Sequence, residues 1–278
     1  MKMMKRNRIF PVLPAVAVRL LVLPVFFLAA AGVLRAQGTV NELTNDFQGR
    51  ISAGIDKKIV KGLHVSLDAE ARYKDNFSTL DRLQADLNLS YKPLPWLKTS
   101  IGYVFMENHN ASDEWKMRHR VYVDLTGILD LGDWRLSLKE RLQLTHKDVN
   151  NTHKHVPNLL ELKSRFKVSY RGWRKWRPYA YVEMRNCFNE PSWKATWTGS
   201  SYVNSSFLGY DSAYINRVRG ALGVEWRINK HNSIDFHAMA DYCYEKNIST
   251  KNSQQSLKSL TWDRGINAIF AVGYQFSF

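Results

Sequence analysis

The stretch INAIFAVGYQFSF, residues 266–278, decides how the rest of the chain is read. Every second residue is apolar: Ile266, Ala268, Phe270, Val272, Tyr274, Phe276 and Phe278. The alternate set, Asn267, Ile269, Ala271, Gly273, Gln275 and Ser277, is mostly small or polar. A period of two is the signature of a strand whose successive side chains point to opposite faces. One face of this strand is greasy and turns aromatic toward its end, and it needs either a protein core or lipid to cover it.

The same alternation recurs upstream, with a charged rather than merely hydrophilic opposite face. Residues 61–74 set Leu63, Val65, Leu67, Ala69 and Ala71 against His64, Ser66, Asp68, Glu70 and Arg72. Residues 116–129 set Met117, Val121, Val123 and Leu125 against Lys116, Arg118, Arg120, Tyr122 and Asp124. Residues 160–171 and 214–227 repeat the pattern, as do 80–91 and 234–245. A β-sandwich would turn the charges to water and the greasy faces to each other. A transmembrane barrel would turn the greasy face to lipid and the charges to a lumen.

Two features favour the barrel. Connections alternate short (56–62, 91–97, 129–134, 171–177, 228–233) and long (74–80, 107–115, 145–158, 189–213, 246–263), the asymmetry of outer-membrane barrels. The tryptophans gather at strand ends. Trp96, Trp134, Trp173, Trp176 and Trp226 lie by short turns, and Trp115, Trp193, Trp197 and Trp262 in or beside long loops. Indole favours the headgroup interface, so two girdles are expected. The fold class expected is all-β, a transmembrane antiparallel up-and-down β-barrel. Eleven alternating segments can be marked between residues 45 and 278. Single-chain bacterial barrels have even strand numbers, so about 12 strands are expected, with 10 as the alternative. The missing strand would lie in residues 38–46 or be hidden in 189–213. At twelve strands the backbone diameter would be roughly 24 Å, and inward Arg, Lys and Glu side chains would narrow or block it.

The chain has 278 residues and a formal charge of +15. Residues 1–36 form a unit of their own: a basic head with Lys2, Lys5, Arg6 and Arg8, an apolar run densest from Leu20 to Leu34, then Ala36-Gln37. That is the layout of a secretory signal peptide, cleaved near Ala36, with Pro11, Pro14, Pro24 and Arg19 arguing against a stable membrane helix. The expected organisation is therefore a leader over 1–36 and an outer-membrane barrel domain over 37–278. No second long apolar run follows, so helical spans are not expected. Cleavage would lower the charge to +9, because the leader carries six basic residues and no acid. For an exported basic protein, anionic lipid headgroups or anionic solutes are the expected partners rather than nucleic acid.

Candidate functional residues are the inward charges: Asp68, Glu70, Arg72, Asp86, Arg120, Asp124, Lys139, Arg141, Lys163, Arg165, Arg185, Arg217, Arg219 and Glu225. They would form a salt-bridge network that stiffens the barrel, or a passage for an anionic solute, since basic residues outnumber acidic ones there. Glu140 and His119 fall on apolar faces. A lipid-face hydrolase is disfavoured because pairing through the turn near Leu131-Gly132 would set Val123 opposite Glu140 and His119 opposite Leu144, with no serine between; a bulge turning Glu140 inward is the simpler expectation. His146, His153 and His155 share a loop but lack a carboxylate or thiol pattern, so no metal site is assigned. Cys187 and Cys243 fall on strands separated by another strand, too far apart for a disulfide. No cofactor fingerprint or nucleophile elbow is present.

Several stretches together resemble a family of Gram-negative outer-membrane proteins, domain-of-unknown-function family 2490: NDFQGRISAGIDKKIVKGLHVSLDAEARYKDN (45–76), LDRLQADLNLSYKP (80–93), WKMRHRVYVDL (115–125), LSLKERLQLTHK (136–147) and INRVRGALGVEWRINKHNSIDFHAM (215–239). The resemblance implies a single outer-membrane barrel and no substrate. The aromatic ending, Tyr274, Phe276 and Phe278, resembles the C-terminal signature that the barrel-assembly machinery reads in this class. The expected function is structural or a narrow, gated passage for small solutes in the bacterial outer membrane, with lipid and lipopolysaccharide as surroundings and a monomeric state. An alternative is an interaction protein that binds through the 189–213 loop, where Trp193, Trp197, Tyr202 and Phe207 concentrate aromatic surface.

Overall fold

A computed structural model describes residues 39–109, 114–251 and 256–278. The expected leader, 1–36, lies outside the described residues. Eleven strands close into one barrel: β1 (Thr39–Val60), β2 (Leu63–Lys74), β3 (Thr79–Leu94), β4 (Leu97–His109), β5 (Trp115–Leu131), β6 (Trp134–Lys147), β7 (Asn158–Tyr170), β8 (Trp176–Trp197), β9 (Tyr202–Arg227), β10 (Asn232–Lys251) and β11 (Ser256–Ser277). Each strand is antiparallel to its sequence neighbour, as in an up-and-down barrel, but β1 and β11 close the ring in parallel. The parallel seam removes the parity problem. An odd number closes when the first and last strands run the same way, and the described residues hold eleven strands rather than ten or twelve. Residues 39–46 are the start of β1, not a separate strand. The 189–213 segment is not a loop with a hidden strand: it forms the upper arms of β8 and β9, joined at 198–201.

Eleven strands at ~40° tilt give a backbone diameter of roughly 22 Å. Short turns, two of them carrying left-handed glycines (Gly62, φ 84°; Gly132, φ 58°), gather at one end, here the short-turn rim. β8 to β11, and the start of β1 alongside β11, rise beyond the others at the opposite, long-hairpin end.

The parity read from the sequence holds in the wall. Ile51 is 61% exposed, Ile101 58%, Val123 56% and Leu222 70%, all on the outward face. Asp124, Glu161, Glu183 and Asp241 are buried on the inward one. At the short-turn rim the outward aromatics form a belt in which Trp176 stacks on Trp226 and Tyr170 packs between Trp134 and Trp173. At the other end the expected girdle is only partial. Trp115 and Trp197 are exposed, whereas Trp193 and Trp262 are buried in a cluster with Ile248, Leu257 and Leu260, against which Tyr202, Phe207, Tyr214 and Tyr244 pack. Pairing of β9 with β10 stops at Cys243 and Arg217, and above that point β9 places Tyr214 against Tyr244 and Trp262 instead. The 148–157 connection ties into this cap. Trp193 Nε1 donates to the His153 carbonyl (3.1 Å), Tyr210 Oη to that of Thr152 (3.0 Å), and Asn151 Nδ2 to Thr250 Oγ1 (3.1 Å).

Among the described residues no helix is long and apolar enough to cross a membrane. The chain crosses with strands, since a closed sheet leaves no unpaired backbone edge in hydrocarbon.

Candidate functional site in the barrel lumen

All fourteen candidate charges stand at inward register positions, but they divide into two populations. Along β5 to β10 they are held in ion pairs, except Arg120 on β5 and Lys163 on β7. Arg141 holds Asp124 with two hydrogen bonds (2.7 and 2.8 Å), Lys139 adds a third contact (2.7 Å) and Ser100 Oγ a fourth (3.0 Å). Arg165 Nε donates to Glu183 (2.7 Å). Arg219 holds Asp241 in a fork of 2.5 and 2.6 Å, with Arg217 at 3.3 Å from the same carboxylate. Arg185 lies 3.2 Å from Glu161, which also accepts from Gln143. Glu225 is 3.9 Å from Arg177 near the short-turn rim.

Three acids central to this network, Glu161, Glu183 and Asp241, are not among the sequence candidates. Their inward parity was readable, since each alternates with outward apolar neighbours. Their burial was not, because it follows from the cross-strand register that sets Glu183 beside Arg165 and Arg219.

The second population lies toward β1 to β5, with Lys163 on β7. Arg50, Arg72 and Arg82 occupy one cross-strand row on β1, β2 and β3. Arg72 pairs with Glu70 on its own strand. Arg82 meets the Asn108 amide oxygen (2.8 Å), once that amide is oriented to accept, and sits among Arg72, Arg118 and Arg120. Arg120 donates to Thr145 Oγ1 (2.9 Å). None of Arg50, Arg82, Arg120 or Lys163 has a carboxylate within ion-pair distance among the described residues, and all four remain partly exposed. Like charges directly opposite on neighbouring strands repel, and Glu70, paired with Arg72, is the carboxylate that lies against this row.

Tyrosines shape the bore. Tyr122 lies across Gly102, where any Cβ would overlap its ring, and its hydroxyl donates to Asp86 (2.8 Å) beneath the Arg141 guanidinium. Tyr179 lies across Gly223 in the same way and donates to Asp235 (2.8 Å). Asp68 crosses Gly54 toward Gln275. Apolar inward patches complete the wall, one of Tyr181, Ala221, Met239, Ile269 and Ala271 and one of Val104, Met106 and Tyr122.

Glu140 does not turn inward. Pairing of β6 with β5 and β7 is continuous, without a bulge, and sets Glu140 opposite Leu125 and Ser164 on the lipid side. The turn closes at Leu131 and Trp134, so Val123 pairs with Leu142 and Val121 with Leu144. A serine is present after all: Ser164 Oγ donates to Glu140 Oε2 (2.5 Å). His119 is six residues along β5 from Leu125, about 20 Å at strand rise, so no hydrolytic triad assembles. It bonds instead to Tyr103 (2.6 Å). Cys187 and Cys243 are both buried and free. His146 pairs with Asn158 and His153 packs on Trp193 and Phe207. Among the described residues no group of three metal-ligating side chains converges.

The terminal aromatics are built into the seam. Phe278 N donates to the Asp56 carbonyl (3.0 Å), Lys58 N donates to the Phe278 carbonyl (3.0 Å), and the Phe276 and Phe278 rings lie 5.5 Å apart.

A closed sheet with an apolar outer wall, an aromatic belt at the short-turn rim and a charged lumen is a membrane-spanning β-barrel of the bacterial outer-membrane class. Within that class, the model of the family described as Protein of unknown function (DUF2490) matches residues 48–252, and the chain belongs to that family. No curated protein matches the chain. Among solved structures, one titled as the NanC porin structure in rhombohedral crystal form is similar at 11% identity and a TM-score of 0.43, over 84% of this chain and 99% of that one. Another, titled as outer-membrane expressed OmpT of Vibrio cholerae, is similar at 16% identity and a TM-score of 0.33, over 71% of this chain and 58% of that one.

Proposed function

We propose that the mature chain, after loss of residues 1–36, is a narrow outer-membrane passage for small anionic solutes. The supporting observation is a set of inward cations without carboxylate partners among the described residues: Arg50, Arg82, Arg120 and Lys163. A purely structural network would neutralise each inward cation, as the carboxylates facing Arg141, Arg165, Arg185 and Arg219 do, because an unpaired charge is costly to bury. Leaving one side unneutralised makes a bore that attracts anions and lets them leave, since the site holds no closed cage of ligands. The ion-paired side would hold the wall rigid. The capping hairpins narrow the long-hairpin mouth, which suits a small solute.

In this reading the lipid belt is covered by outer-membrane lipid and lipopolysaccharide, the barrel works as a monomer, and Tyr274, Phe276 and Phe278 are the strand recognised by the barrel-assembly machinery.

The test is reversal potential in a planar bilayer under a salt gradient, comparing the refolded barrel with an Arg82→Gln, Arg120→Gln, Lys163→Gln variant. Wild type should favour anions, and the variant should lose most of that preference. Equal selectivity in both would reject the passage.

A further inference from the structure

The outer wall of β3 to β7 carries a groove of about 500 Å³. Its sides are apolar, with Leu87, Leu89, Ile101, Val121, Val123 and Leu142 around the backbone of Gly102. Tyr103 stands on its border toward the long-hairpin end. One row higher, register aligns Phe105, His119, His146 and Asn158 on β4 to β7. This row breaks the greasy face with polar groups. Tyr103 Oη meets His119 Nδ1 (2.6 Å), the His119 ring lies between Tyr103 and Phe105, and His146 Nδ1 meets Asn158 Oδ1 (2.8 Å). Tyr103 takes up His119 Nδ1, which leaves Nε2 without a partner among the described residues.

Depth decides what these groups meet. The lower belt passes through Leu131 and Trp134. An apolar band ~25 Å tall, at about 2.6 Å of height per tilted residue, takes up roughly ten residues of β5. It therefore ends near Val121. His119 lies just above, at headgroup level, while the groove lies wholly in hydrocarbon.

We propose that this is a lipid site: an acyl chain lies in the groove, and a phosphate oxygen of the same lipid accepts from His119 Nε2, with His146 beside it. The phosphorylated acyl lipid of the outer leaflet, lipid A, is the occupant, because the polar row faces the long-hairpin side of the membrane. Asp148, 3.9 Å from His146 and well exposed, limits the phosphate to the His119 side of the row. The proposal rests on the barrel lying in an outer membrane and does not depend on whether its lumen conducts.

Native mass spectrometry of the delipidated barrel titrated with lipid A tests it. Wild type should retain one lipid A per barrel. Filling the groove with Val121→Trp should weaken retention tenfold or more, and Tyr103→Phe with His119→Leu several-fold. Leu222→Trp, on the lipid face of β9, should change nothing. Heat-modifiable migration confirms folding, and if Val121→Trp fails to fold, the Tyr103→Phe, His119→Leu pair decides. Equal retention by wild type and that pair, or equal loss with Leu222→Trp, would overturn the site. Conductance should be unchanged in all of these variants, so a failed passage and a failed lipid site give different results.

Discussion

Single residues in this barrel are judged by which side of the wall they face. Asp241 is 1% exposed and is shared by Arg219 and Arg217. Removing its charge leaves Arg219 only Glu183 at 3.7 Å and Arg217 only Glu245 at 3.9 Å, and breaking a buried pair by deleting one partner costs about 3–5 kcal/mol. Asp241→Asn should therefore lower the urea midpoint of unfolding sharply, read by loss of the heat-modifiable band; an unchanged midpoint would show that lumen water screens the pair. Glu140 has the opposite sign. It faces lipid with one oxygen on Ser164 and the other, Oε1, without a partner among the described residues. A carboxylate in the apolar band is unfavourable by somewhat less than the ~2–4 kcal/mol of a basic residue. Glu140→Leu should stabilise the barrel by about 1–2 kcal/mol in the same assay, and destabilisation would mean that Glu140 has a partner in the membrane.

At the scale of elements, strands were legible and their reach was not. Period-two alternation marked every strand of the wall because lipid and lumen impose opposite chemistry on adjacent residues. It failed over 189–213, where β8 and β9 leave the wall. There the register shifts repeatedly between Arg185 and Thr196, so parity switches sides and the aromatics pack on one another rather than on lipid. For the same reason Trp193 and Phe207 read as an exposed binding surface, although Trp193 is buried and Phe207 packs against it. Pair partners were likewise hidden. A two-residue difference in where the β5–β6 turn closes moved Glu140 from Val123 to Leu125.

The cap built from these elements has a titratable part. His155, in the 148–157 connection, is held below the ordinary imidazole value by burial first, then by Lys147, Lys154 and Arg118. The folded cap thus binds fewer protons than the open one. Its stability is full above about pH 6.5 and falls as pH drops below that value, because protonation favours release. Single-channel openings should lengthen as pH drops from 7 to 5, and His155→Asn should abolish the trend. A pH-independent wild type would place the barrier deeper in the lumen.

For the whole molecule, the cap and the cation row occupy different heights and different strands. The cap joins the upper arms of β8 to β11 with the 148–157 connection, whereas the cations without carboxylate partners belong to β1, β3, β5 and β7. Conductance is set by the narrowest section and selectivity by the charge an ion passes, so the two should vary independently. Ser192 pairs with Gly209 on the hairpin, so residues 193–208 can be replaced by a two-residue Asn-Gly turn without disturbing the wall below. That truncation should raise conductance several-fold while leaving anion preference intact. Arg82→Glu with Arg120→Glu should reverse the preference with little change in conductance. Distant, unconnected sites combine additively, so the combined variant should be both wide and cation-preferring. Selectivity that collapsed on truncation alone would place the anion filter in the cap, and the cations of β1 to β7 would then serve only to shape the wall.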